Sequence, residues 1–200
     1  MCGRYTVISD DDVAELRTII PGFRGHIPAG GGLMSADNGE KRIVFPGMSA
    51  PVLTQHGDLL AARWGFRKWD GKGLVFNARV EGLRSSRFFS EHLEFGRCIA
   101  PARDYFEWRQ TLSDSGRAEK RRYRIYPERG LFYLCALMRP AEEGFEYTVV
   151  TRPAEPEIAF IHPRMPLLLD SDAARGWLSG AETRLGNFSL KWTDDQASSQ

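Results

Sequence analysis

Runs dense in β-branched and aromatic residues recur along this chain at 51–55, 59–66, 97–100, 105–108, 123–126, 131–138 and 145–151, separated by residues that favour turns. Such spacing predicts a mainly antiparallel β structure. Helical patterns are fewer and do not alternate strictly with the strands. Ser9-Asp10-Asp11-Asp12 followed by Val13, Leu16, Ile19 and Ile20 predicts a capped amphipathic helix that Pro21-Gly22 stops. A second helix is expected from Ser85 or Ser86 to Phe95, a short one over 156–161, and a third, begun by a Ser-Asp cap, over Ser171–Leu178. Helices inserted among strands in this way define an α+β class. The stretch 22–47, rich in Gly and Pro around Gly30-Gly31-Gly32, reads as loop, since no GKS/T or helix start follows that would make it a phosphate cradle.

With 200 residues, 42% hydrophobic and 26% charged, the chain can bury one core, expected as a single domain over 1–185 with a polar, frayed tail over 186–200. Three cysteines without a CxxC pair fit a reducing cytoplasm and argue against a disulfide framework or a structural zinc site. Cys98 and Cys135 sit in apolar runs and read as small buried hydrophobes. The N-terminus lacks the layout of a signal peptide, and no apolar run approaches the roughly 18 residues of a membrane span. The expectation is a cytoplasmic protein with no membrane partner. The formal net charge of +1 hides an uneven distribution: residues 61–130 carry 16 Lys+Arg against 9 Asp+Glu, and the remainder carries 11 against 17. A basic middle third rich in Arg suits a polyanion, because the guanidinium fork matches phosphate.

Met1-Cys2-Gly3-Arg4-Tyr5 opens the chain, and loss of Met1 would leave Cys2 with an amine and a thiol on adjacent carbons. Such an amine condenses with an aldehyde to an imine, the thiol closes onto the same carbon, and the thiazolidine formed hydrolyses far more slowly. An α-amino group, with a reference pKa of about 7.7–8.0, keeps roughly a tenth of itself neutral at pH 7. The structural alternative is a small residue simply buried at position 2. Polar residues then recur where a plain β core would not need them. Asn77, Arg79 and Glu81 share one face of an expected strand by the period of two. Glu107 stands alone between aromatics in Tyr105-Phe106-Glu107-Trp108, a setting that raises a carboxyl's pKa and suits general acid–base work. His162 and Arg164 lie in Ile161-His162-Pro163-Arg164-Met165-Pro166, framed by rigid prolines. His26, His56 and His92 lack such framing and read as surface residues.

Together these segments resemble the SRAP (SOS response-associated peptidase) family of abasic site processing proteins, from Met1 to about Leu169. Cys-Gly-Arg-Tyr, Trp64-Gly65, Asn77-Ala78-Arg79-x-Glu81, Phe106-Glu107-Trp108 and Ile161-His162-x-Arg164-Met165-Pro166 carry the resemblance by order and spacing. It implies a barrel-like, mostly antiparallel α+β fold, loss of Met1, and a covalent bond from Cys2 to the ring-opened sugar of an abasic site. By that resemblance Asn77, Glu107 and His162 surround the cysteine as catalytic groups, and Arg4 and Arg79 lie near DNA phosphates. The chain departs from the family at Ile43-Val44-Phe45-Pro46 in place of Asn-x-Ala-Pro, at Gly82 in place of Thr, at Asp104 in place of Gly, and beyond Leu185.

The expected partner is single-stranded DNA containing abasic sites, bound by a monomer without cofactor or metal. Arg84, Arg87, Arg164 and the run Lys120-Arg121-Arg122 would serve phosphates, that run being otherwise a solvated hairpin edge, and Trp64, Trp69 or Phe89 would stack on bases or else belong to the core; the protein would then be nucleoid-associated when DNA is bound. Removal of Met1 could be autoproteolytic, in keeping with the peptidase and hydrolase labels, or the work of an aminopeptidase, and a lyase reaction could compete with the adduct. Two other functions stay open at this level: an N-terminal-nucleophile amidotransferase, and a non-covalent single-stranded DNA-binding module in which Cys2 is incidental.

Overall fold

The computed structural model describes residues 2–9, 12, 15–16, 42–113, 116–181 and 185–195. The helix expected after Ser9 lies outside the described residues apart from Asp12, Glu15 and Leu16, and so does the Gly-rich loop through Lys41. The remainder is mostly strand: β1 Tyr5–Val7, β2 Ile43–Val44, β3 Ser49–Thr54, β4 Leu59–Trp64, β5 Phe66–Arg67, β6 Leu74–Val75 and β7 Asn77–Arg79 precede the long β8 Arg97–Leu112. Then come β9 Ala118–Pro127, β10 Phe132–Ala141, β11 Gly144–Pro153, β12 Arg164–Pro166, β13 Leu168–Leu169 and β14 Leu190–Asp194. Three short helices interrupt them: α1 His92–Phe95, α2 Pro156–Ala159 and α3 Ser171–Leu178. The α+β, mostly β class expected from the sequence is the observed one.

The pairings β8–β10, β10–β11, β11–β4, β4–β3 and β3–β8 close a five-strand barrel. It is mixed, because β11 runs parallel to β4, with Tyr147 opposite Trp64, and parallel to β7, with Val149 opposite Asn77. Closure removes the free edges that an open sheet would leave. Inside sit Trp64, Tyr5, Tyr147 and Phe132, all fully buried. Trp64 stacks on Tyr147 with centroids 6.1 Å apart, its indole N–H donates to Phe76 O at 2.9 Å, and the Tyr5 and Tyr147 hydroxyls lie 2.7 Å apart. The polar tips of these three buried rings are thus all partnered. Gly65, next along, has φ +112°, and a Cβ there would lie 2.9 Å from Leu74 Cβ, so the Trp-Gly pair turns the chain where a side chain would not fit.

Three expectations change. The separate runs at 97–100 and 105–108 are one strand, β8, despite Pro101. On one flank β8 pairs with β3 at Cys98 and Ile99 and with β1 from Ala102 to Tyr105, so Pro101 falls in the gap between those neighbours, where a missing N–H is tolerated. The helix expected from Ser85 or Ser86 shrinks to α1. Phe88 and Phe89 both pack on Phe66, at 6.0 and 6.3 Å, and adjacent residues of a regular helix cannot face one partner. In the polar C-terminal segment, residues 190–194 do not fray but form β14, antiparallel to β9. No helix among the described residues is long and apolar enough to cross a membrane.

Asp104 ties three strands together. Its carboxylate accepts from Thr6 Oγ1 on β1 and from Arg124 on β9, with Nη2 at 2.6 Å. Asp104→Ala should lower unfolding stability by about 2–3 kcal/mol, less than a fully buried pair because Arg124 stays partly hydrated. A urea midpoint moving with unchanged slope measures this, and an unmoved midpoint would refute it.

Candidate active site

The register of β1 on β8 places the N-terminus. Tyr5 pairs with Tyr105 and the Phe106 N–H donates to Arg4 O at 2.9 Å, so the chain leading back to Cys2 runs alongside Glu107 and Trp108. Cys2 is fully buried, with its thiol directed at Arg4 O, 3.8 Å away. Burial first, and then the negative charge of Glu107, push that thiol up, so it stays protonated.

Asn77 opens β7, held in place by the parallel pairing with β11. Its Nδ2 donates to Cys2 O at 2.8 Å, while its Oδ1 is buried and unpartnered among the described residues. Glu107 is buried on β8, and burial raises its carboxyl above the ordinary range, with the nearby His162 opposing the shift. His162 lies between α2 and β12. Its Nδ1 is 3.0 Å from the Arg164 N–H and 2.9 Å from the Arg164 carbonyl, so a backbone donor and a backbone acceptor both face it. Either ring tautomer therefore finds a partner at Nδ1. Asn77 on β7 thus bonds to Cys2, Glu107 on β8 lies near its thiol, and His162 lies near Glu107 from the β12 approach.

The remaining expected residues divide. Trp64, expected to stack on a base, is a core residue: burial against Tyr147 and Tyr5 leaves no face for a ligand, and this expectation is corrected. Trp69, at the tip between β5 and β6, is 94% exposed. The strand carrying Asn77 stops at Arg79, and Val80–Gly82 form a 3-10 turn, so Glu81 is not on the strand face expected for it. Instead Arg164 grips Glu81 through both carboxylate oxygens, which keeps that carboxyl below its ordinary value, and also donates to Thr151 O at 2.8 Å. Arg164 therefore braces the His162 turn against β11 and the 3-10 turn. Arg4 lies 5.2 Å over the Trp108 ring, with its Nε buried and unpartnered among the described residues. Arg79, Arg84 and Arg87 are exposed and make no ion pair among the described residues. Arg84 lies farther off, lining a cleft of about 550 Å³ with Arg97 and Ser179.

Cys98 and Cys135 are buried in the β8–β10 core, as expected. His92 is not a bare surface residue, since it packs edge-on against Phe66 at 5.2 Å. Trp108 comes with the Phe106-Glu107-Trp108 motif, whereas Thr151 was not expected at the site and reaches it through strand register, for which the sequence holds no local signal.

A family model described as SOS response associated peptidase (SRAP) matches residues 1–197. The chain is 33% identical over 144 residues to the abasic site processing protein YedK of Escherichia coli, covering 68% of this chain and 63% of that protein. It is 27% identical over 154 residues to the abasic site processing protein HMCES of Gallus gallus, covering 62% of this chain and 46% of that one. The chain therefore spans less than two thirds of the length of either relative. Among solved structures, a Bacteroides thetaiotaomicron protein superposes with a TM-score of 0.76 at 18% identity, covering 100% of this chain and 95% of the other. A phage-related protein of Bordetella bronchiseptica gives 0.71 at 23%, covering 96% and 93%. Those two likenesses concern the fold.

Proposed function

Because the chain belongs to the SOS response associated peptidase (SRAP) family, we propose that it processes abasic sites in single-stranded DNA by joining its mature Cys2 to the opened sugar as a thiazolidine. The observation that carries this reading is an amide bonded to Cys2, a carboxyl of raised pKa near its thiol, and an imidazole beside that carboxyl. The abasic-site relatives add the substrate class.

An abasic sugar is mostly a cyclic hemiacetal, so the ring must open first. His162 moves that proton through Nε2, whose partner atom Nδ1 is served in either tautomer. With Met1 gone, the Cys2 amine attacks the aldehyde carbon and forms a carbinolamine. Glu107, whose carboxyl burial raises above its ordinary range, gives its proton to the departing hydroxyl, and water leaves. The thiol then adds to the iminium carbon and passes its proton to the Glu107 carboxylate. One water is released and the acid is restored. Asn77 fixes the Cys2 backbone and so the approach of the amine, a geometric contribution. Arg4, Arg79, Arg84 and Arg87 serve phosphates, and Trp69 offers a face to a base. Arg164 acts on this site by holding the His162 turn.

Intact-mass spectrometry tests the proposal. The purified protein should lack the mass of one methionine, and mixing with an abasic oligonucleotide should add the mass of that strand minus one water. Retention of Met1, or a protein mass unchanged by the abasic strand, would overturn it. Incubating the purified full-length precursor, with no aminopeptidase present, separates autoproteolysis from removal by another enzyme.

A further inference from the structure

Glu107 belongs to a sheet face that continues outward beyond the site. Residues directly opposite in antiparallel strands share a face, as do alternate residues along one strand. The registers Glu107↔Tyr123, Arg109↔Arg121, Tyr123↔Asp194 and Ile125↔Trp192 therefore set Glu107, Tyr123, Arg109, Arg121, Trp192 and Asp194 on one face of β8, β9 and β14. Phe160, two residues before His162, closes over it. Its ring meets Tyr123 at 5.8 Å and Trp192 at 5.1 Å, both edge to face, while Tyr123 meets Trp192 at 5.7 Å. Each edge-to-face contact covers a face of only one of its two rings, and Phe160 and Trp192 remain 40% and 45% exposed. A core would have covered two such large rings.

The two arginines of this face stand together, with Glu107, Glu119 and Asp194 around them. Arg109 and Arg121 sit directly opposite each other, a pairing that destabilises a sheet unless an anion lies between. Arg121 reaches Asp194 at 3.7 Å, whereas Arg109 lies 5.5 Å over the Phe160 ring and makes no ion pair among the described residues. Exposed aromatic faces next to a guanidinium pair match a base joined to a phosphate.

We propose that this face is a nucleotide subsite, which takes unpaired nucleotides flanking the reacting sugar. A base stacks on Phe160 and Trp192, and its phosphate sits between Arg109 and Arg121. The inference rests on the covalent reading only in naming the strand that fills it. It gives the aromatic cluster and the C-terminal strand β14 a role in substrate binding that the Cys2 chemistry does not supply.

The test is fluorescence anisotropy with labelled oligothymidylate that contains no abasic residue, so that no covalent step enters. Trp192→Ala and Arg109→Ala should each weaken binding about tenfold, and Arg109→Ala should also flatten the salt dependence by about 0.7 in log–log slope. Trp192→Phe, which keeps a stacking face, should restore most of the affinity and guards against a mere folding defect. Affinities of the Ala variants within twofold of the parent overturn the subsite. So does a second outcome, in which Trp192→Ala changes the sedimentation of the free protein but not its oligonucleotide affinity, because the face would then join two copies. Weakened binding by the variants, alongside a parent that forms no adduct with an abasic strand, would leave the subsite standing and remove the covalent reading instead.

Discussion

Replacing Cys2 by alanine is expected to abolish the heat- and denaturant-resistant adduct with an abasic strand completely. The variant keeps its α-amine, of which roughly a tenth is neutral at pH 7, so condensation with the aldehyde can still occur. What it lacks is the sulfur that closes the five-membered ring. The product should therefore stop at an imine, which water reverses during denaturation and which borohydride traps. Cys2→Ser should behave in the same way, because a hydroxyl is a poor nucleophile towards the iminium carbon. Denaturing gels with and without the reductant separate the two stages. A stable adduct from Cys2→Ala without borohydride would place the bond at another residue. Burial that raises the Cys2 thiol fits the proposed order, in which attack begins at nitrogen and sulfur enters once a neighbouring carboxylate takes its proton.

How far this site was legible in the sequence depends on whether its signals are local. Cys2, Asn77, Glu107 and His162 stand out as polar residues in apolar or aromatic company, and each could be singled out without knowing what it faces. Strands such as β4 and β11 were equally clear, because aromatic and β-branched residues mark them directly. The parallel pairing of β11 with β4 and β7 leaves no such mark, since it joins segments distant in the chain, and that pairing closes the barrel and carries Asn77 to Cys2. Trp64 went astray for the same reason. As an aromatic in a basic region it could stack on a base or fill the core, and Tyr147 stacked on it decides for the core. Arg164 looks like a free cation until Glu81 and Thr151 are found on it. The cluster of Phe160 and Trp192 arises from the docking of β14, in a segment too polar to announce a strand.

Glu107→Gln should slow adduct formation by about 10²–10⁴-fold, the range for losing a positioned proton donor, with little change in the fold because the amide has nearly the same shape. The pH profile separates this from simple disruption. In the parent the rate follows the product of two fractions, Glu107 in its acid form and the Cys2 amine in its neutral form. The first declines as pH rises through a carboxyl pKa that burial has raised, and the second grows towards about 7.7–8.0. The product is bell-shaped, whichever of the two groups titrates first. Glutamine cannot lose a proton, so the variant's residual rate should climb with pH and level off, without a falling limb. Single-turnover rates from about pH 5 to 9, on either side of the two groups' reference values, read as adduct on denaturing gels, would show it. A falling limb that survives in Glu107→Gln would assign the acid to another group, and His162, the other proton carrier beside it, would take that place.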